Sequence, residues 1–314
     1  QPWGRDMRVV IALGGNALLK RGEPMTADAQ RTNVRKAAAA MADLARDHDI
    51  VVAHGNGPQV GLLALQAAAY KDVDPYPLDV LGAESVGMIG YLVEQELTNA
   101  MPAGSRIATL LTQIEVDRDD PAFARAEKPI GPVYTQNEAL KAKEAYGWPM
   151  VEEAQGRWRR VVPSPLPQHI TQIETIRLLV EAGVTVICAG GGGIPVMREA
   201  DGTLRGLEAV IDKDKAAGLL ARALGADAFL MLTDVDAVYE GWGTVDRRPI
   251  RKVTPAELTS DMFAAGSMRP KVEAACDFAN AGGIAGIGRL EDARGILEGR
   301  QGTLVTLQAI NPAS

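Results

Sequence analysis

Short apolar runs typical of β-strands alternate along most of the chain with longer segments of helical period. The strand-like runs, most followed by a polar or glycine-rich break, are residues 8–13, 50–54, 107–111, 185–189, 228–232, 283–288 and 303–307. The apolar or alanine-rich helical patterns cover residues 31–47, 61–70, 84–99, 171–182, 216–224, 270–281 and 291–298. Strands that alternate with helices indicate βαβ units and a parallel sheet. We therefore predict an α/β fold with one mainly parallel sheet between helical layers.

One internal segment, residues 117–167, departs from this alternation. It is rich in proline, tryptophan and charged residues, and no clean period runs through it. A long segment without helical or strand period inside a compact domain is usually an insertion with a function of its own. We predict a small subdomain that protrudes from the sheet.

Three glycine-rich turns follow predicted strands and contain the sequences GGNA at Gly14, HGNGP at His54 and GGGGIP at Gly190. Ligands of open parallel sheets bind at the carboxyl ends of the strands. Glycine lets backbone N–H groups approach an anion closely there, and Asn16 and Asn56 add side-chain donors. These turns predict a ligand cleft.

Residues 208–223 read EAVIDKDKAAGLLARA, an acidic and basic run that leads into a helical pattern. Either Asp212 or Asp214 is a suitable N-cap, which places Lys213 or Lys215 in the first helical turn. A lysine in the first turn opposes the helix dipole unless an anion neutralises it, and helix N-termini bind anions readily. The alternatives are two solvated lysines or a phosphate site.

Two further lysines could converge on the same anion. Lys128 lies within the 117–167 segment among prolines and glycines, and Lys271 follows Pro270, a residue suited to the first helical position. Each lysine taken alone is most simply a solvated charge. Together with Lys213 they would suit phosphoryl transfer, which depends mainly on positioning and charge neutralisation. The P-loop, GxGxxG, HRD and DFG motifs are absent from the sequence.

Composition narrows the partners. A net charge of −7 argues against nucleic acid or an anionic membrane as a partner. Two distant cysteines, Cys188 and Cys276, fit a reducing cytoplasm, and the scattered histidines form no metal-binding motif, so no metal site is expected from protein side chains. No signal peptide or membrane span is visible. We expect Met7 to be the natural start and residues 1–6 to be an added segment.

The motifs together resemble the amino-acid kinase superfamily, and within it the carbamate kinases. The matching pieces run in family order through nearly all of residues 8–307 and include VVIALGGNALLKRGE, VVAHGNGPQVG, KPIGPVYT, RRVVPSPLP, GGGGIPV, EAVIDKD, LTDVDAVY and GSMRPKVEAA. Among these relatives KPIGP and RRVVPSP are specific to the carbamate kinases, where they mark a protruding subdomain. The resemblance implies a three-layer αβα sandwich around an open, mainly parallel sheet.

The resemblance also implies an organisation and a set of site residues. Residues 7–314 would form one domain, with an N-terminal lobe (about 7–207, including the subdomain 117–167) for carbamate or carbamoyl phosphate and a C-terminal lobe (about 208–314) for nucleotide. The residues implied as catalytic are Lys128, Lys213, Asp214 and Lys271. Those implied for the carbamate side are Gly14, Gly15, Asn16, Gly55, Asn56 and Gly57. Those implied for the nucleotide are Gly191, Gly192, Asp234, Tyr239, Met268 and Pro270.

The expected activity is phosphoryl transfer between ATP and carbamate, with Mg²⁺ carried by ATP or ADP and a homodimeric assembly. Two departures from the family pattern are Val86, where relatives commonly have glutamine, and Arg269, where they have glycine. One alternative is a kinase of another small acid or phosphate substrate. The other is a catalytically silent relative that serves as a ligand-binding sensor.

Overall fold

The computed structural model describes residues 7–20, 22–70, 72, 74–258, 262–263 and 268–307. The expectation for residues 1–6 lies outside this range. The helices are α1 (Gly15–Leu18), α2 (Ala27–Leu44), α3 (Gly57–Ala69), α4 (Leu78–Ala100), α5 (Gln136–Tyr146), α6 (Ile173–Glu181), α7 (Lys213–Ala223), α8 (Met268–Asn280) and α9 (Ala293–Leu297). The strands are β1 (Arg8–Leu13), β2 (Asp49–His54), β3 (Arg106–Thr109), β4 (Gln113–Val116), β5 (Lys128–Tyr134), β6 (Met150–Ala154), β7 (Arg157–Val162), β8 (Pro167–Ile170), β9 (Val184–Ile187), β10 (Ile194–Arg198), β11 (Leu204–Gly206), β12 (Ala228–Thr233), β13 (Val238–Glu240), β14 (Arg248–Ile250), β15 (Lys252–Val253), β16 (Ile284–Arg289) and β17 (Thr303–Val305).

An eight-stranded sheet forms the centre, in the order β15-β17-β16-β12-β1-β2-β9-β3. Neighbouring strands are parallel except β16 and β17, which pair antiparallel. The predicted mainly parallel α/β sheet is therefore confirmed. Because β1 lies beside both β2 and β12, its carboxyl end is at the middle of the sheet edge where ligands of such folds bind.

The two faces of the sheet carry separate hydrophobic cores, which follows from the alternation of side chains along each strand. On β1, Val10 and Ala12 point into the core covered by α6, α7 and α8. Val9 and Ile11 point into the opposite core, covered by α2, α4 and α9. This arrangement gives the three layers that the family resemblance implies.

Helices α3 and α4 are among those that begin earlier than their apolar periods suggest. Helix α3 starts at Gly57 with a proline in its first turn, and α4 starts at Leu78 directly after Pro77. Proline is tolerated in a first helical turn because its missing N–H has no intrahelical partner there. Helix α8 also begins earlier than predicted. Its first residue is Met268, so Pro270 is its third residue and not the predicted first.

A second sheet of four strands, β11-β10-β4-β8, lies apart from the central sheet and was not predicted. Its strands are three to five residues long, too short to show a period in the sequence. Strands β4 and β8 are antiparallel neighbours, and Val116 pairs with Pro167. The chain thus leaves this sheet at β4 and returns beside the same strand at β8.

Between β4 and β8 the chain builds a separate three-stranded sheet, β5-β7-β6, together with α5. The prediction that the 117–167 segment stands outside the main sheet agrees with this topology, but the segment is more regular than its sequence suggests. Helix α5 opens with a capping box in which Thr135 and Glu138 exchange hydrogen bonds. The T-x-x-E spacing is a sequence signal for a helix start that the absence of period obscured.

The root of this subdomain packs on the main domain through a small core of its own. Ile130 of β5 and Val162 of β7 join apolar residues of α3 and α4, namely Val60, Ala64, Leu78 and Leu81. Strand β5 also lies directly against α3, where Gly61 meets Gly131. No helix within the described residues is long and apolar enough to cross a membrane.

Candidate active site

The glycine turns after β1, β2 and β9 meet at one edge of the central sheet and border a cleft of about 860 Å³. The subdomain forms the opposite wall. The residues that line the cleft are Gly15, Gly55, Asn56, Gly57, Pro58, Val60, Glu127, Lys128, Pro129, Ile130, Glu153, Arg159, Ser164, Gly191, Val210, Ile211, Asp212, Lys213, Asp214, Lys215, Pro270 and Lys271. The four residues implied as catalytic therefore lie in one cavity.

The N-terminus of α7 resolves the choice between two capping aspartates. The Oδ1 atom of Asp212 accepts hydrogen bonds from the backbone N–H groups of Asp214 and Lys215, at 2.9 and 3.3 Å. Asp212 is therefore the N-cap, and Lys213 is the first helical residue. This position places Lys213 at the N-terminus of the helix, where the helix dipole favours a bound anion.

Asp214 holds two lysines that come from different helices. Its Oδ1 atom accepts a hydrogen bond from Nζ of Lys213 at 2.7 Å, and its Oδ2 atom accepts one from Nζ of Lys271 at 2.9 Å. The Asp214 side chain is only 3% exposed, against 17% for Lys213 and 7% for Lys271. One carboxylate thus fixes two ammonium groups side by side at the cleft.

The charges of this triad are set by burial and by mutual attraction. Burial disfavours the ionised carboxylate of Asp214, but the ammonium groups of Lys213 and Lys271 outweigh it and lower its pKa to about 2. Burial also opposes the charge on Lys213, yet the two neighbouring aspartates raise its pKa. The pKa of Lys271 is lowered, because burial and the adjacent Lys213 ammonium exceed the attraction of Asp214. Asp214 and Lys213 are therefore ionised at neutral pH.

Lys128 approaches the same helix terminus from the subdomain. Its Nζ atom donates to Oδ2 of Asp212 at 2.7 Å, while Oδ1 of that residue caps α7. The Lys128 side chain is 34% exposed, more than either lysine of the triad. Burial of Asp212 disfavours its charge, but Lys128 and Lys213 lower its pKa. Two aspartates and three lysines are thus interleaved at one end of α7.

The glycine turns fit closely around these charged groups. A Cβ atom on Gly55 would lie 3.3 Å from Cδ of Lys213, so the lysine stem runs over this turn. Gly191 has a φ of +64°, and a Cβ there would lie 2.4 Å from Nδ2 of Asn56. The Asn56 amide donates to Oγ of Ser85 at 2.8 Å. The turns after β2 and β9 are therefore locked together beside Lys213.

The remaining residues implied for the carbamate side lie at the same edge. Gly14 donates its N–H to the carbonyl of Leu232 at 2.8 Å, which ties the turn after β1 to β12. Gly15 and Gly57 are the first residues of α1 and α3. Asn16 is the second residue of α1, and its side chain is outside the described part of the structure.

Of the residues implied for the nucleotide, Gly191 and Pro270 line the cleft. Gly192 packs against the carbonyl of Ile211, and Met268 packs on the core under α7 and α8. Asp234 follows β12, and Tyr239 on β13 donates a hydrogen bond to Asp236. In the part of the chain that the structure describes, the cleft lining does not include Asp234, Tyr239, Met268 or Gly192.

The sequence predicts a salt-bridged hairpin for Arg159 and its neighbouring arginines, and it predicts neither a place for Arg159 at the cleft nor the pairing of Asp212 with Lys128. Arg159 faces the cleft from β7 and lies 3.8 Å from Glu153, another residue of the lining. The adjacent Arg160 instead pairs with Glu208 at 2.9 Å. The period-two alternation of a strand could have separated these neighbouring arginines, whereas no local signal identifies the partner of Lys128.

Val86 lies behind the glycine turns and not on the cleft. It is 3% exposed and, like His54, packs against Gly190. His54 donates from Nδ1 to the carbonyl of Gly55 at 3.0 Å, and its Nε2 atom is buried with no hydrogen-bond partner. Burial lowers the pKa of His54 to about 4, so the ring is neutral at pH 7. Val86 therefore packs beside a neutral imidazole that supports the turn.

The two aspartates of the cleft are both paired with lysines. Asp212 and Asp214 both accept charged hydrogen bonds from lysines. Among the described residues, no group of three or more histidine, cysteine, aspartate or glutamate side chains is placed to hold a metal ion.

Known proteins resemble this chain over nearly its whole length. The sequence matches the amino acid kinase family over residues 7–287. A carbamate kinase of Rhizobium meliloti is 54% identical over 303 residues, which cover 96% of this chain and 93% of the relative. A carbamate kinase of Haemophilus influenzae is 53% identical over 301 residues, 96% of this chain and 97% of the relative. The solved structure of carbamate kinase from Giardia lamblia bound to AMP-PNP is 40% identical, with a TM-score of 0.88, and covers 96% of this chain and 98% of that one.

Proposed function

The chain belongs to the amino acid kinase family, and within it to the carbamate kinases, and we propose that its interleaved lysines and aspartates carry out the phosphoryl transfer between ATP and carbamate. The observation that carries this assignment of roles is the geometry of Asp214. Its carboxylate holds Lys213 and Lys271 at 2.7 and 2.9 Å at the edge of the cleft. Such preorganised cations need no rearrangement when negative charge develops on the transferring group.

In the forward direction a carbamate oxygen forms a bond to the γ-phosphorus of ATP while the bond to the β–γ bridging oxygen breaks. The products are carbamoyl phosphate and ADP. Carbamate is already an anion, so the attack requires no general base. The protein must instead bring two anions together and stabilise charge on the phosphoryl oxygens.

The charge of the cluster suits this task. With all five groups ionised, Lys128, Lys213 and Lys271 contribute three positive charges, and Asp212 and Asp214 contribute two negative ones. One positive charge remains in excess. Because each lysine is held by an aspartate, the ammonium groups remain close together until phosphate oxygens arrive as additional acceptors.

We propose that the carbamate or carbamoyl phosphate lies in the N-terminal lobe, about residues 7–207, and the nucleotide in the C-terminal lobe, about 208–314. The turns at Gly14–Asn16 and Gly55–Gly57 would bind the former through backbone N–H groups and the Asn56 amide. The residues proposed for the nucleotide are Gly191, Gly192, Asp234, Tyr239, Met268 and Pro270. The subdomain, about 117–167, would supply Lys128 between the two substrates.

The nucleotide substrate in this proposal is MgATP or MgADP. The two aspartates nearest the transferring group already neutralise lysines, so the ion would be held mainly by the nucleotide phosphates. A homodimeric assembly and a cytoplasmic location also belong to the proposal. The second is supported by Cys188 and Cys276, which are both free thiols.

The direct test is formation of ATP from ADP, Mg²⁺ and carbamoyl phosphate by the purified protein, measured with a coupled assay. We expect turnover that depends on all three components. N-acetylglutamate with ATP, and isopentenyl phosphate with ATP, test the alternative substrates and should give no turnover. Binding of nucleotide without any ATP formation would instead indicate a silent sensor and contradict the proposal.

A further inference from the structure

The subdomain contacts the main domain where Gly61 of α3 meets Gly131 of β5, and this contact leaves no space for a side chain on Gly61. A Cβ atom built on Gly61, in the middle of α3, would lie 2.4 Å from Cα of Gly131 and 3.2 Å from its backbone nitrogen. Real Cβ atoms do not approach backbone atoms this closely. Strand β5 therefore lies against α3 at a separation that a side chain at residue 61 would not permit.

The contact is asymmetric. A Cβ on Gly131 would meet the Cα of Gly61 at 3.8 Å, an ordinary van der Waals distance. Gly131 is required for a different reason, because its φ of +71° lies in the left-handed region. Of these two glycines, Gly61 is therefore the one whose missing side chain permits the close contact.

A second anchor joins the same pair of strands to the main domain. Ile130, next to Gly131, pairs across the sheet with Arg160 of β7. The Arg160 guanidinium donates to Oε2 of Glu208 at 2.9 Å, while Oε1 of Glu208 accepts from the backbone N–H of Leu78 at 2.6 Å. Glu208 therefore joins β7 to the N-terminus of α4.

The position of Lys128 depends on the contact between β5 and α3, because Lys128 belongs to β5. It is the first residue of β5, three positions before Gly131, and it pairs with Val162 of β7. Its partner Asp212 belongs to the main domain, at the N-terminus of α7. The Lys128–Asp212 hydrogen bond of 2.7 Å therefore spans the junction, and a displacement of β5 away from α3 would lengthen it.

We propose that Gly61 is a positioning residue for Lys128. Its missing side chain lets β5 approach α3 closely enough for the Lys128 ammonium to reach the end of α7. This inference rests on the proposed role of Lys128 in phosphoryl transfer. It adds that a residue of the HGNGPQVG motif acts through the subdomain and not by contact with a substrate.

The primary test is Gly61→Ala, with Gly87→Ala as the matched control. Gly87 is an exposed helical glycine of α4, and no atom lies within 4 Å of the point where its Cβ would be, so alanine there fits. Helix propensity favours alanine over glycine at both positions. We expect Gly87→Ala to melt slightly higher with unchanged kcat. Gly61→Ala should lose kcat by about 10-fold to 100-fold, the effect of misplacing a catalytic group by about 1 Å.

A double-mutant cycle identifies the route of the effect. If Gly61 acts through Lys128, then Lys128→Met should cost much less in the Gly61→Ala background than in the native protein. Additive losses would mean that Gly61 acts elsewhere and would overturn the inference. Unchanged turnover in Lys128→Met alone would instead refute the proposed role of Lys128, which separates the two failures.

A second variant covers the case in which Gly61→Ala does not fold. Glu208→Ala removes the other anchor at a side chain that is 53% exposed, so the fold should survive. We expect a smaller loss of kcat, about 2-fold to 10-fold, that again disappears in the Lys128→Met background. A loss of the same size in both backgrounds would contradict coupling between the seating of β5 and Lys128.

Discussion

Two lysine–aspartate pairings meet at the N-terminus of α7, and they are built differently. Asp214 binds Lys213 and Lys271 within the main domain, and all three side chains are largely buried. Asp212 binds Lys128, which reaches it from the subdomain with a third of its side chain exposed. The first pairing is part of the folded core, whereas the second joins the subdomain to the main domain.

The charges of Lys213 and Lys271 are therefore positioned by folding of the main domain. The charge of Lys128 is positioned by the contact of the subdomain with the main domain. A buried ion pair has paid a large desolvation cost, so removal of one partner is strongly destabilising. A partly exposed pair contributes little to stability because water screens it. Removal of Asp214 from the buried triad should therefore affect both stability and chemistry, and the Lys128 pair should affect chemistry almost alone.

The largest effect should come from Asp214→Asn, which removes the negative charge between two buried ammonium groups. We expect kcat to fall by about 10³-fold or more, since two donors lose their position at once. The free energy of unfolding should fall by about 3–5 kcal/mol, the range for breaking a buried pair. Steady-state kinetics and urea unfolding measure the two losses.

Asp212→Asn is the matched comparison for that variant, because asparagine caps helices about as well as aspartate. It should lose activity with little change in stability. If extra Mg²⁺ restored the Asp214→Asn variant fully, Asp214 would be a metal ligand and not the organiser of the lysines. Equal stability losses in the two variants would remove the distinction between the pairings.

Lys213→Met should have the next largest effect. It deletes one preorganised donor, for which a loss of about 10²–10³-fold in kcat is expected. Stability should change by no more than about 1 kcal/mol, because the lost attraction to Asp214 is offset by relief of repulsion from Lys271 and from the helix dipole. Thermal melting with and without nucleotide should show a smaller ligand-induced rise than in the native protein. A clearly destabilised but fully active variant would show that Lys213 is structural.

Lys128→Met tests the docked pairing. We expect a loss of about 10-fold to 100-fold in kcat, because a docked and partly hydrated charge is less well fixed than a buried donor. The free energy of unfolding should stay within about 1 kcal/mol of the native value. Urea unfolding and initial rates with carbamoyl phosphate check both expectations. A destabilisation like that of Asp214→Asn would mean that Lys128 is as much a part of the core as the triad.

The smallest effect on phosphoryl transfer is expected for His54, which is buried in the protein interior. Its expected effect is on stability. Burial lowers its pKa from 6.5 to about 4, so between these values the unfolded state binds a proton that the native state does not. Stability should therefore fall as pH decreases from 6.5 toward 4, by about 3 kcal/mol from this residue alone. Urea unfolding at several pH values gives the free energy of unfolding as a function of pH. This free energy should depend less on pH in His54→Gln than in the native protein. An unchanged pH dependence would show that His54 binds its proton in the native protein as readily as in the unfolded chain.

The sequence is sufficient to predict the features that follow from the order of elements along the chain. Strands that alternate with helices predicted the parallel sheet, and the position of the glycine turns after strands placed the cleft at their carboxyl ends. The DKDK run predicted charged groups at a helix start. These inferences hold because they rest on local pattern and on the geometry that all parallel sheets share.

The local pattern could not assign Lys128 and Lys271 to their aspartates, because those two pairings depend on contacts between distant segments. Asp212 and Asp214 are equivalent in the local pattern, and only the fold assigns Lys128 to one and Lys271 to the other. The contact of Gly61 with Gly131 joins residues far apart in the chain and leaves no trace in either local sequence. The second sheet escaped prediction because strands such as β11 are too short to display a period.

The antiparallel pairing of β4 with β8 has a consequence for how this architecture can change over evolutionary time. Because Val116 and Pro167 are direct partners, the two ends of the intervening segment lie next to each other. A tight turn could join these two ends without any change in the strand order of the central sheet. The entropic cost of loop closure rises only slowly with loop length, so a longer segment at the same point is also tolerated. The subdomain is therefore a module that can be gained, lost or exchanged at a single hairpin. The buried residues of the two cores of the central sheet lie outside this segment, so its exchange would change only the small core that it shares with α3 and α4.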